Sequence, residues 1–258
     1  MFWLIWCLAV FDMLVGVTTA VSDGVALTIA AFRLNVLVNR LQCLVFFGPL
    51  YFSLRGVYCF TLVLAADRAV AVTLPTRYHA LQSSNRYEGC MLAAGWLDVL
   101  LHLAAYFLHH GAYDAVMRSC SVFSLLQQRF VQVQNVKTMA MNVAVVLLYL
   151  LQMAMMKWRI TDSHKRGDDS QAIVKQLQVR VSRSLSLVVL VFLWTSFARG
   201  LGFLLLYAKD YHASRYYWLS FLHGLVVLNS ATNIFIYAAV IADFRKALRK
   251  LLRLGDGA

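Results

Sequence analysis

Ionisable side chains inside apolar sequence carry the chemistry of this chain, because each costs free energy in a low-dielectric setting unless a partner or a task holds it there. Asp12 stands within the apolar run 2–30, Arg55 in 43–66, Asp98 and His102 in 90–109, and Arg199 in 184–207. Asp67 and Arg68 are adjacent at the end of the second run and open the stretch Asp67-Arg68-Ala-Val-Ala-Val-Thr-Leu-Pro75-Thr-Arg77-Tyr78. Sequence neighbours do not share a helix face, yet the carboxylate can hold the adjoining guanidinium and leave it available to a second partner. That is the chemistry of a two-state latch; an ordinary ion pair snorkelling to the interface is the plainer reading of the spacing alone. Arg55 and Asp98, on neighbouring runs, read as a structural ion pair. Arg199 has no evident partner in the sequence and could bind an acidic or carbonyl ligand. His109, His110 and Asp114 are metal-binding types, but adjacent histidines point apart on a helix, so no firm metal site is read there. There is no nucleophile elbow, phosphate-cradling glycine loop or zinc-protease helix, so the chain reads as no enzyme and needs no cofactor.

The elements that must position these groups follow from composition. Of 258 residues, 61% are apolar and 14% charged, against about 45–50% and 25% in soluble domains. Runs of about 20 apolar residues span a bilayer core of roughly 30 Å, and six occur: 2–30, 43–66, 90–109, 138–156, 184–207 and 216–241. The fold class is therefore an all-α membrane protein, one transmembrane domain over 1–258 with the lipid bilayer as its solvent. The first run is longer than a span needs, carries Asp12 and Asp23, and lacks the basic flank of a signal peptide. The net charge of +12 does not imply nucleic acid, because the basic residues cluster in short connections where they meet lipid headgroups.

With the C-terminus placed in the cytoplasm, the inside connections carry 15 Lys and Arg and the outside ones seven, which fixes the orientation. Lys137 falls to an outside connection on this count. Arg55, Asp98, His102 and Arg199 then lie in the outer halves of their runs. The tail 243–253 sets Phe244, Leu248, Leu251 and Leu252 at helical spacing against five basic residues, so it should lie on the inner leaflet as a short amphipathic helix. Cys43, at the outer end of the second run, and Cys120, in the connection 110–137, both face an oxidising compartment and are expected to pair. Cys7, Cys59 and Cys90 read as small packing residues.

Several of these stretches together resemble rhodopsin-like (class A) G-protein-coupled receptors. Asp67-Arg68-Ala69, with Pro75 and Arg77-Tyr78 behind it, is similar to the pattern closing that family's third span. Cys43 lies where the family keeps its disulfide cysteine. Leu8-Ala9-Val-Phe-Asp12 looks like the second-span element, and Trp96 like the single fourth-span tryptophan. Asn229-Ser230-Ala-Thr-Asn233-Ile-Phe-Ile-Tyr237 resembles the seventh-span motif, followed by Asp243-Phe244-Arg245 at the start of an eighth helix. The tone is that of divergent invertebrate chemoreceptors, nematode ones especially.

The resemblance implies a seven-transmembrane bundle of which helices two to seven and the short eighth are present, the first span being absent. It implies a plasma-membrane chemosensory receptor for a small molecule or peptide, acting on a heterotrimeric G protein. Asp67, Arg68, Tyr149 and Tyr237 would form its G-protein switch. Asp12, Asn229, Ser230 and Asn233 would form a mid-membrane polar pocket that in the family holds sodium. Val57 replaces the serine that usually helps there, so a hydrogen-bonded cluster without an ion is an equal reading. Leu50, Arg55, His102 and Arg199 would face the ligand; Leu50 stands in the amine-binding slot and Val227 in the retinal-lysine slot, which disfavours both ligand classes. The chain departs from the family in having only Pro49 and Pro75, so the usual kinks of the later spans are missing. The competing reading is a six-span non-signalling protein: a channel subunit, a partner or a relic.

Overall fold

In lipid a chain must satisfy its own backbone polar groups, and an apolar helix does so within one segment. The computed structural model describes residues 2–32, 38–82, 84–108, 116–117, 128–165 and 232. The expected spans 184–207 and 216–241 and the tail 243–253 lie outside the described residues, with the part of the seventh-span motif that they carry. In chain order the described elements are α1 (Phe2–Ala31), β1 (Val38–Asn39), α2 (Arg40–Thr73), α3 (Pro75–Gln82), α4 (Asn85–Leu108), β2 (Val116–Met117) and α5 (Gln128–Lys165). Among the described residues, four helices are long and apolar enough to cross a membrane, over Trp3–Ser22, Leu41–Thr73, Arg86–Leu108 and Val133–Trp158. The all-α membrane architecture expected from composition is thus present, with one two-residue ladder added.

Local chemistry sets the ends of α2. Asn39 caps it, its side chain accepting from the Gln42 backbone N–H at 2.7 Å while Gln42 Oε1 accepts from the Asn39 N–H at 3.2 Å. This reciprocal box satisfies two of the otherwise orphaned donors at a helix start. At the other end Pro75 disfavours helical geometry in the residue before it, and Leu74 leaves the helix at φ −130°, ψ 61°. The same proline opens α3, where its missing N–H costs nothing. β1 and β2 pair antiparallel, Val38 with Met117 and Asn39 with Val116, beside the capped start of α2.

α2 is the central helix, packed against α1, α4 and α5. Its contact with α1 and α4 is an aromatic cluster in which Phe11 lies 5.5 Å from Phe60, 5.5 Å from Phe52 and 5.4 Å from Trp96, between ring centroids. Two glycines make room for it: a Cβ on Gly56 would fall 2.2 Å from a Phe11 ring carbon, and one on Gly95 2.9 Å from Phe60. Small residues that let helices approach are the usual device where no hydrophobic effect drives helix association. α5 meets α2 through Tyr58, Ala65, Val145 and Tyr149, tied by Gln152 Nε2 donating to the Ala65 carbonyl at 3.0 Å. Large apolar side chains such as Trp3, Leu97, Leu101, Leu147 and Leu150 face outward, as a lipid-solvated surface requires.

Among the boundaries that differ from the sequence reading, two bear on the polar residues. α2 runs to Thr73 rather than 66, so Asp67 and Arg68 lie within the helix. α5 starts at Gln128 rather than 138, which brings Lys137 out of the expected connection and into the span Val133–Trp158.

Candidate functional site

Among the described residues, two polar clusters interrupt the apolar interior, both built on α2. The first is near its C-terminal end. Arg68 donates to Asp67 Oδ2 from Nε at 3.1 Å and from Nη2 at 2.5 Å, so the adjacent residues do pair although they do not share a face. The Tyr78 hydroxyl, delivered by α3, donates to the same carboxylate at 3.2 Å and accepts from Arg68 Nη2 at 3.1 Å. Asp67 is buried and Arg68 mostly so. The Tyr78 ring also packs edge-on against Tyr87 of α4, centroids 6.1 Å apart. Burial raises the Tyr78 phenol above its usual range and the Asp67 charge adds to this, against the lowering effect of Arg68. The hydroxyl therefore stays protonated at neutral pH and available as a donor.

Arg68 is held at one charge partner by a neutral clasp from another element, an arrangement that can release it when that clasp moves. Tyr149 lies in the neighbouring α2–α5 contact with Tyr58 and Ala65. The fourth expected member, Tyr237, lies outside the described residues. Tyr78 was part of the quoted motif but was not singled out as a partner. Its closeness to Asp67 depends on α3 turning back at Pro75, which spacing does not reveal.

The second cluster joins α2, α4 and α5, thirteen residues earlier along α2 and so about 20 Å away at ~1.5 Å per residue. Lys137 Nζ lies 2.5 Å from Asp98 Oδ1, and Cys59 Sγ donates to Asp98 Oδ2 at 2.7 Å. His102 Nδ1 lies 2.9 Å from the Asp98 carbonyl and Nε2 2.8 Å from Gln134 Oε1, and the neutral ring donates to one of the two. Arg55, 5% exposed, donates to Thr138 Oγ1 at 3.0 Å and to the carbonyl and side-chain oxygens of Gln134. The expected Arg55–Asp98 ion pair is thereby corrected: Asp98 takes Lys137, and Arg55 meets neutral acceptors. The early start of α5 is the reason, since it supplies a cation at the depth where the sequence reading had only Arg55. Gln134 and Lys137 fall outside the expected span 138–156, which hides them, while Thr138 is its first residue and carries no sequence signal of its own.

The remaining expected residues join neither cluster or lie outside the described residues. Asp12 is buried between α1 and its neighbours, 1% exposed, while Asn229, Ser230 and Asn233 lie outside the described residues. Leu50 is buried in the apolar core shared with Leu4, Leu8 and Phe11. Arg199 lies outside the described residues. Cys43 is fully buried and does not count among the free cysteines, which are Cys7, Cys59 and Cys90 among the described residues; Cys120 lies outside them. No group of three or more potential metal ligands occurs among the described residues. Residues 1–252 match the family model described as serpentine type 7TM GPCR chemoreceptor Srsx.

Proposed function

From a chain that belongs to the Srsx family of serpentine seven-transmembrane G-protein-coupled chemoreceptors, we propose a specific working cycle: a small molecule binds within the bundle and promotes nucleotide exchange on a heterotrimeric G protein. The observation that carries it is the Asp67–Arg68–Tyr78 clasp at the end of α2. In this reading that end faces the cytoplasm, the protein sits in the plasma membrane with its C-terminus inside, and α1, α2, α4 and α5 are the second to fifth spans of the rhodopsin-like pattern. Ligand binding shifts a two-state equilibrium. Arg68 leaves Asp67 and Tyr78, turns toward Tyr149 and Tyr237, and opens a surface for the G protein. Asp12 with Asn229, Ser230 and Asn233 forms the polar pocket that couples the two ends, with or without a sodium ion. Cys43 pairs with Cys120, a reading supported by its burial, its absence from the free thiols and the β1–β2 ladder alongside.

The test uses the full chain in lipid nanodiscs with purified heterotrimer and a fluorescent GTP analogue. Faster nucleotide uptake than with empty nanodiscs is the expected result, and it should increase with an agonist drawn from a small-molecule panel. Uptake equal to the empty-disc control for every Gα class would contradict the cycle and leave the six-span non-signalling reading.

A further inference from the structure

The charges of the second cluster do not balance. Lys137 and Asp98 neutralise each other, and among the described residues no carboxylate is bonded to Arg55. Neither 184–207 nor 216–241 contains aspartate or glutamate. A buried guanidinium whose partners among the described residues are all neutral is costly at this depth, so it requires either a structural role or a further partner.

Its hydrogen bonds argue against the structural role. Of the acceptors that Arg55 uses, the Gln134 carbonyl has another donor without it, Thr138 Oγ1 at 2.8 Å. Removing Arg55 would not orphan that carbonyl. One helical turn earlier on the same face, the Tyr51 ring lies 5.7 Å below the guanidinium carbon. The Tyr51 hydroxyl is buried, and its polar neighbour among the described residues is the Arg55 guanidinium. A phenol hydroxyl beside a cation whose described acceptors are all neutral is the complement of an oxyanion. Lys137 and Asp98 are a third or so exposed, at 39% and 31%, which leaves the cluster open on that side.

We propose that this cluster is the subsite for the acidic head of a small organic carboxylate. Arg55 supplies the paired N–H donors that match a carboxylate, Tyr51 a hydroxyl donor, and Lys137 a second cation that Asp98 shares with the ligand. His102 orients Gln134 and so sets the acceptor side of the guanidinium. The inference deepens the receptor reading by naming the ligand class, and it rests on that reading for its consequence, though not for the binding itself.

The experiment is a thermal-unfolding measurement on the purified full chain in detergent, read with a thiol-reactive dye, since Cys7 and Cys59 are buried free thiols. The probes are octanoate, benzoate, phenylacetate and indole-3-acetate, each beside its methyl ester, with chloride and inorganic phosphate at matched ionic strength. At least one carboxylate should raise the midpoint where its ester and the inorganic anions do not. Arg55→Met should weaken that carboxylate roughly tenfold or more, yet unfold without ligand at a midpoint no lower than wild type, because a net charge has been removed. Esters or phosphate acting like acids would overturn the proposal. So would a panel silent on wild type, an unaltered response in Arg55→Met, or a lowered ligand-free midpoint in that variant. Binding is read without a G protein, so carboxylate binding with no nucleotide exchange would refute the signalling cycle and leave this site standing.

Discussion

Tyr78→Phe should raise the basal activity of the receptor about tenfold. The substitution removes one hydroxyl and keeps the ring that packs on Tyr87 and under Arg68, so folding should be little affected. What it removes is the bond to Asp67 at 3.2 Å and the bond accepted from Arg68 at 3.1 Å. Hydrogen bonds to charged groups contribute about 1.5–3 kcal/mol, and water reaching this half-buried ring replaces part of that. A net loss of about 1.4 kcal/mol from the closed state is then reasonable, which is tenfold in an equilibrium constant. An open state populated at about 1% would rise to about 10%, within the span over which minor states are typically found. The assay is ligand-free nucleotide exchange per receptor at the surface, compared with wild type. The phenol is pushed above its ordinary range by burial, so wild-type Tyr78 keeps its proton near neutrality. Its contribution is fully present there and is lost only as pH rises through the raised value. Unchanged or reduced basal exchange at equal surface density would refute the reasoning, because Tyr78 would then not hold the closed state.

Gly56→Ala should lower stability by about 1–3 kcal/mol through overpacking, since its Cβ would meet the Phe11 ring at 2.2 Å. In a Phe11→Ala background that cost should vanish, and a double-mutant cycle on unfolding midpoints that came out additive would contradict the contact. Asp98→Asn should leave Lys137 an uncompensated cation within its span. Removing one partner of a fully buried pair costs about 3–5 kcal/mol, and partial exposure reduces this to about 2 kcal/mol. Adding Lys137→Met should recover most of the lost midpoint, and a double variant no better than Asp98→Asn alone would count against the pair.

Much of the fold was legible because lipid imposes a simple rule on sequence. Apolar runs long enough to cross the bilayer appeared as helices α1, α2, α4 and α5. The adjacent Asp67 and Arg68 disclosed their pairing through chemical type alone. What stayed hidden depended on where a helix begins. A polar early stretch such as Gln132, Gln134 and Asn135 reads as a connection, which puts the expected start of α5 too late and Lys137 among the outside charges. The Arg55–Asp98 pairing failed for the same reason, since complementary charges on neighbouring spans pair by default only when no nearer cation is in reach. Tyr78 was hidden differently: its role comes from the turn at Pro75 that folds α3 back onto Asp67, a tertiary consequence that no periodicity carries.

Arg68→Ala in the full-length chain tests the central claim most directly. It removes the group held by Asp67 and Tyr78, the one assigned to meet the G protein. Agonist-stimulated nucleotide exchange in nanodiscs should be abolished while surface expression and ligand binding persist. Exchange at the wild-type rate would contradict the account.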